Sequence, residues 1–256
     1  MTANYHTHTF RCHHAQGTER EYIETAISRG LKVLGFSDHV PQLFPGEYYS
    51  HFRMSPEETE DYVRTLTELR DEYKNDIEIF IGFETEYYGE IFDALLEFLK
   101  PYPIDYMILG QHYLDNEYDT RRSAMLVQAD EEQFDKYINT VLKGISTGKF
   151  SYIAHPDIFG FDGDPEVYCR QYRRLCEGAK ELNIPLEINL HGITTRRHYP
   201  SDRFFKIAKE VGNSFIFGSD AHDPSGVLNP ESYKVACELI ARHGITPLER
   251  LELKKI

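Results

Sequence analysis

A strand-like stretch, Ala3 to Phe10, is followed along this chain by six short apolar runs: Val33 to Ser37, Ile77 to Phe83, Tyr106 to Leu109, Phe150 to Ala154, Pro185 to Asn189 and Phe215 to Gly218. Runs that are continuously apolar over four to eight residues read as strands of a parallel sheet covered on both faces. Between them the period lengthens. Helices are predicted over about 18–29, 55–74, 91–100, 130–147, 164–182 and 201–211, with a last one over about 231–243. Their starts are punctuated. Thr18-Glu19-Arg20-Glu21 has the spacing of a capping box and Gly30 ends that helix, while Ser55-Pro56 and Asp164-Pro165 place proline in a first turn. The alternation predicts an α/β fold, a barrel or nearly closed barrel of about seven strands in one domain over residues 1–256. One connection is unusually long. Residues 40–54 are rich in proline and aromatics (Pro41, Phe44, Pro45, Tyr48, Tyr49, Phe52), as expected of a lid over a site.

The carboxyl side of each strand carries a candidate metal ligand. In order these are His6 and His8, His39, Glu84, His112, His155, the 187–191 region, and Asp220 with His222; His14 follows the first strand more distantly. Residues two apart on a strand share a face, about 6.6 Å apart, so His6 and His8 can converge on one ion. Sites in parallel α/β folds gather at the carboxyl ends of the strands. The ligand pattern and the periodicity thus predict the same architecture. Imidazoles mixed with a few carboxylates suit Zn, Mn or Fe rather than Ca or Mg. Nine candidates exceed what one ion can use and suit two or three, with Glu84 or Asp220 free to bridge. Ions a few ångströms apart acidify water and neutralise an anionic substrate, which points to hydrolysis of a phosphate ester or an amide. His13 adjoins His14 and is the weaker ligand by position. His51, His198 and His243 lack the placement and read as ordinary hydrogen-bonding residues.

Composition narrows the field further. Among 256 residues the formal net charge is −14, which argues against a nucleic-acid partner. No apolar run approaches a membrane span and no secretory signal opens the chain, so a cytoplasmic protein is expected. The four cysteines form no CxxC pair and read as reduced; Cys12, close to the histidines, is a minor ligand candidate. Nothing in the sequence speaks to oligomeric state.

The segments His6-Thr7-His8, Ser37-Asp38-His39, the single histidines at 112 and 155, and Ser219-Asp220-Ala221-His222 resemble the PHP (polymerase and histidinol phosphatase) superfamily. Within it the chain is most similar to the histidinol-phosphate phosphatases of histidine biosynthesis. That likeness rests on His6 to His14, Gly82-Phe83-Glu84, Gly110-Gln111-His112, Glu187-Ile188-Asn189 and Arg197-His198-Tyr199-Pro200-Ser201. The resemblance implies a distorted (β/α)7 barrel, TIM-like, with three divalent ions. Position by position, His6, His8, Glu84 and Asp220 would hold one ion. Glu84 would bridge to a second held by His112 and His155, and His14, His39 and His222 would hold a third. A hydroxide bridging the first two would attack phosphorus. Arg197, or Arg196 if the alignment slips by one, would clamp a phosphate oxygen. His191 departs from the small residue expected there and falls near the substrate. Asp38 and Glu86 are the candidate acids for protonating the leaving alkoxide.

The expected activity is therefore hydrolysis of L-histidinol phosphate, a small phosphomonoester. Its amino and imidazole groups would be met by acidic and aromatic residues of the 40–54 and 113–128 connections. A rival within the superfamily is a phosphoesterase for nucleotides, sugar phosphates or a 3′-terminal nucleic acid, the last disfavoured by the acidic net charge. A rival outside it is an amidohydrolase-type deaminase or lactonase, which also opens with HxH. That class would add a strand-borne lysine or a lone aspartate after an eighth strand, whereas Asp38-His39 and Asp220-x-His222 fit the first reading. A metal-binding protein without catalysis fits such a wealth of ligands poorly.

Overall fold

Strands β1 (Ala3–Asn4), β2 (Val33–His39), β3 (Glu78–Thr85), β4 (Tyr106–Leu109), β5 (Phe150–Ile153), β6 (Leu186–Asn189) and β7 (Phe215–Gly218) pair in chain order, every pair parallel. The computed structural model describes residues 1–118 and 120–256. The helices are α1 (Glu19–Ser28), α2 (Thr59–Glu72), α3 (Phe92–Leu99), α4 (Glu131–Ser146), α5 (Pro165–Glu181), α6 (Leu190–Thr194), α7 (Asp202–Val211) and α8 (Pro230–Arg242). The barrel nearly closes: Thr7 and Ala221 form a parallel bridge beyond the ends of β1 and β7, with His8 N donating to Ala221 O at 2.9 Å.

Two expectations are refined. The first strand is only two residues long, and His6 and His8 lie just past it. The chain is turned there by Thr9, whose hydroxyl accepts from Arg11 N to open a 3-10 turn over Phe10–Cys12, and by His13 at φ 64°. The short helix α6 was not foreshadowed by any period. Asn189 starts it, its side chain accepting from Gly192 N. The predicted capping box is present in full: Thr18 accepts from Glu21 N and Glu21 reaches back to the Thr18 amide.

Apolar residues pack in two bodies. One lies between the sheet and its helices, with Phe36, Phe83, Phe134, Tyr172 and Phe204 among its fully buried rings. The other fills the lumen. Tyr5, Tyr106, Ile108, Tyr152 and Ile216 project inward from alternate strand positions, and Leu251 of the C-terminal segment covers them from below. The Tyr106 hydroxyl donates to Tyr5 O at 2.7 Å, and Leu251 N donates to the Tyr5 hydroxyl at 3.3 Å. Among the described residues the lumen is thus filled by side chains toward the amino end of the strands, and the ligand candidates gather at the carboxyl end. Among the described residues, no helix is long and apolar enough to cross a membrane.

Thr18→Ala removes one acceptor of the capping box and is expected to lower stability by about 1 kcal/mol. Urea unfolding measures it; an unchanged midpoint would show that the cap contributes nothing to the folded state.

Candidate metal centre

Nine side chains converge above the lumen, delivered from the ends of six strands and the loop after β1. Glu84 (β3) and Asp220 (after β7) are the carboxylates, and both are buried, as are His6, His8, His39 and His155. Room for the carboxylates is made by glycine. A Cβ on Gly110 would strike the Glu84 carboxylate, and one on Gly218 would strike that of Glu187. Two of the ligating candidates hold left-handed backbone, His155 at φ 30° and Asp220 at φ 50°. Such conformations cost free energy and persist where the surroundings enforce them.

The outer nitrogen of each ring decides what the inner one can do. Nδ1 of His6 faces Glu187 Oε1 at 2.7 Å, that of His8 faces Asp38 Oδ1 at 3.3 Å, and that of His112 faces Glu86 Oε1 at 2.8 Å. His14 and His222 present Nδ1 to backbone carbonyls, of Cys12 at 2.7 Å and Asp220 at 3.0 Å. All five partners are acceptors, so Nδ1 carries the hydrogen and Nε2 of the neutral ring is a bare lone pair. Those lone pairs face one another. His6 Nε2 and His8 Nε2 are 3.3 Å apart, and His14 Nε2 and His222 Nε2 are 3.0 Å apart. When both rings of such a pair are neutral they repel, and a proton or a metal ion between them relieves it.

The spacing suits a metal. His6 Nε2 and His8 Nε2 each lie 3.5 Å from Glu84 Oε2, and 3.6 and 3.2 Å from Asp220 Oδ1. A tetrahedron with bonds of about 2.1 Å has edges of about 3.4 Å. His39 Nδ1 is buried without a hydrogen bond 3.2 Å from Glu84 Oε2, as a ligand nitrogen would be. The other Glu84 oxygen meets His155 Nε2 at 2.8 Å and His112 Nε2 at 3.5 Å, so the carboxylate is placed to bridge. His39 groups with Glu84 and His112 and also with His8 and His222, so it stands between the two outer ligand sets. His155 groups with His6 and Asp220 as well.

Charge supports the same picture. Burial alone would raise Glu84 and Asp220, but His112 and His6 on the first, and His6 and His191 on the second, hold both well below the usual carboxylate range. Burial pulls His39, His14 and His222 down, which favours their neutral forms. For His6 burial is outweighed by Glu187, Asp220 and Glu84, which push it up to about 10; for His8 it is outweighed by Asp220 and Asp38.

Beside these ligands lies a cavity of about 400 Å³, walled by Phe52, Tyr113, Met125, His191, Arg197 and Tyr199. Arg197 lines it and Arg196, in a left-handed turn at φ 56°, does not. His191 stands on α6 with its ring 4.9 Å from that of His222. The 40–54 and 113–128 connections supply Phe52, Tyr113 and Met125 to the wall, so their aromatic contribution is in place. Their acidic one differs from expectation. Glu117 is turned inward onto Arg53, Asp115 pairs with Arg122 and Lys136, and Asp119 lies outside the described residues. Neither Asp38 nor Glu86 lines the cavity. Asp38 accepts from Thr9 N, His39 N and the Thr9 hydroxyl besides facing His8, and Glu86 is paired with Arg53. Both oxygens of each are engaged, which makes them orienting groups rather than acids. Cys12 lies in a buried trio with His8 and Asp38, and burial raises its thiol. His13 bonds Tyr49, His198 donates to Ile158 O, and His243 meets Asp202, all away from the cluster. Of the other cysteines, Cys176 is buried and Cys169 exposed, and all four are free thiols.

In the sequence Glu187 stands out only as part of the 187–191 region. It is fully buried, takes His6 Nδ1, His155 N at 2.7 Å and Asn189 Nδ2 at 2.9 Å, and so fixes two ligands at once. The signal was its position two before Asn189 on β6, which puts both on the lumen side.

The PHP domain family model matches residues 4–191. The chain belongs to the PHP family. Among its PHP relatives, a Deinococcus radiodurans protein described as "Probable histidinol-phosphatase" is 30% identical over 238 residues, spanning 87% of this chain and 86% of the relative. The histidinol-phosphatase of Bacillus subtilis is 26% identical over 253 residues, spanning 87% and 94%. The PHP fold is shared with the histidinol phosphate phosphatase of Lactococcus lactis, solved with zinc, L-histidinol and phosphate: TM-score 0.72, 19% identity, 98% of each chain covered.

Metal uptake at pH 7 is expected to release protons, because the carboxylates around His6 and His8 favour their protonated forms and a ligating nitrogen must give its proton up. Apparent affinity therefore rises with pH. Calorimetry of zinc binding in buffers of different ionisation enthalpy reads this, and identical heats in all of them would contradict it.

Proposed function

We propose that this protein is a metal-dependent phosphomonoesterase that hydrolyses L-histidinol phosphate to L-histidinol and inorganic phosphate. The observation that carries the reading is the set of histidine lone pairs facing one another across a pair of buried carboxylates, beside a cavity of substrate size. Relatives named histidinol-phosphatase supply the substrate. The residues fit three divalent ions, of Zn, Mn or Fe. His6, His8, Glu84 and Asp220 would hold one; Glu84 with His112 and His155 a second; and His14 with His222 a third, His39 lying within reach of the last two. Bound ions of this kind acidify water and neutralise charge on phosphoryl oxygens.

The chain's own contribution is position and charge. Glu187, Asp38 and Glu86 each hold the outer nitrogen of a ligand ring, fixing its tautomer and the direction of the lone pair. Arg197 presents a planar fork of donors at the cavity wall and is suited to gripping two phosphate oxygens together. Tyr199 stands beside it, its ring 5.8 Å from that of His155. Phe52 and Tyr113, 5.9 Å apart, offer aromatic faces to an imidazole or an ammonium. His191 reaches the same space from α6, next to where the leaving alcohol would lie.

Release of inorganic phosphate from L-histidinol phosphate, against a panel of nucleotides and sugar phosphates after reconstitution with Zn, Mn or Fe, tests the reading. A preference for another phosphomonoester would replace the substrate and keep the chemistry. His8→Ala and Asp220→Ala are expected to abolish turnover in protein that retains its circular dichroism spectrum; wild-type turnover in either would refute the site. Arg197→Ala should raise KM by about tenfold or more, the loss of a charge-assisted contact of roughly 1.5–3 kcal/mol, and leave kcat within a few-fold. An unchanged KM would remove Arg197 from phosphate binding.

A further inference from the structure

Arg53, at the end of the long 40–54 connection, is among the most deeply buried large side chains of the protein, 2% exposed. A guanidinium in such a place must be fully paired. Its Nε and Nη2 donate to Glu117 Oε2 at 3.1 and 2.5 Å, Nη1 to Val40 O at 2.9 Å, and Nη2 also to Glu86 Oε2 at 3.1 Å. The partners come from three places: the start of its own connection, the loop after β4, and the residues just past β3. Glu86 then passes the contact on, its other oxygen taking Nδ1 of His112 at 2.8 Å. The neighbouring Phe52 carries the second link. Its ring lies 4.6 Å from the Arg53 guanidinium carbon and stands edge-on to His39 at 5.5 Å.

We propose that Arg53 is a positioning residue: its guanidinium clasps the two loops that wall the metal cavity and, through Glu86, fixes the ring of the ligand His112. Each link follows from the geometry. Two buried carboxylates beside one another repel, and Arg53 is the cation that lets Glu86 and Glu117 share the interior. With Glu86 ionised and held by one oxygen, the other must accept from His112 Nδ1, which leaves Nε2 for an ion. With Glu117 held, the loop after β4 is pinned against the 40–54 connection, and Tyr113 and Phe52 are brought to within 5.9 Å across the mouth. Lysine could supply the charge but not a planar fork that reaches Glu117, Glu86 and the Val40 carbonyl together. The two arms have separate effects: the Glu86 arm acts on metal retention, and the Glu117 arm on the substrate wall.

The test uses the metal-reconstituted full chain and four variants. Resistance of bound zinc to a competing chelator is read without substrate, and kcat and KM with L-histidinol phosphate are read beside it. Arg53→Lys is expected to give up one zinc equivalent at a chelator concentration at least tenfold lower than the parent does, with a fall in kcat. Glu86→Gln should do the same. The double variant Arg53→Lys, Glu86→Gln should lose no more metal than Glu86→Gln alone, because the two act in series. Glu117→Gln should retain zinc like the parent and raise KM about fivefold. Parent-like zinc retention in Arg53→Lys, or additive losses in the double variant, would overturn the clasp. The kinetic arm rests on the proposed activity and the chelator arm does not. If the parent fails to hydrolyse L-histidinol phosphate, that activity falls and the zinc series still decides the role of Arg53.

Discussion

Lone pairs aimed at one another are the constraint on which the rest of this structure depends. Five histidines spend their Nδ1 hydrogens on fixed acceptors, and their Nε2 atoms then have nowhere to point but at each other or at Glu84 and Asp220. A proton or a metal ion between them reconciles that arrangement. Much else in the molecule serves it. Glycines at 110 and 218 open space for carboxylates, left-handed backbone at His155 and Asp220 turns those side chains inward, and a parallel barrel gathers six strand ends at one rim.

The strand ends were legible in the sequence because two patterns with different causes coincide there. Apolar runs reflect burial on both faces of a parallel sheet, and the residues after them reflect chemistry at its carboxyl edge. His39, Glu84, His112 and His155 all follow or end such runs. The first strand was harder to read. Its apolar and polar residues continue to Phe10, yet pairing stops at Asn4 because Thr9 and His13 turn the chain locally. Helix α6 hid for a similar reason: five residues give no period, and only the Asn189 cap marks its start.

What the sequence concealed was the layer behind the ligands. Asp38 and Glu86 look like spare acids when read along the chain, and only in three dimensions does each prove to be saturated by a ring nitrogen and other donors. Arg53 looks like a loop arginine among aromatics, with no spacing to betray that it is buried. Partners such as Glu117, 64 positions away, cannot be paired from one sequence. Candidates for metal ligands can be read from residue type and order, whereas their supports depend on which distant segments pack together.

The tyrosine-filled lumen has a consequence for traffic. With Tyr5, Tyr106 and Tyr152 packed in the lumen and Leu251 covering the underside, the described residues leave the barrel open at its carboxyl rim. Whatever reaches the rim must back out the way it came. Hydrolysis takes in an ester and a water and gives out an alcohol and a phosphate, and all of them share the same doorway.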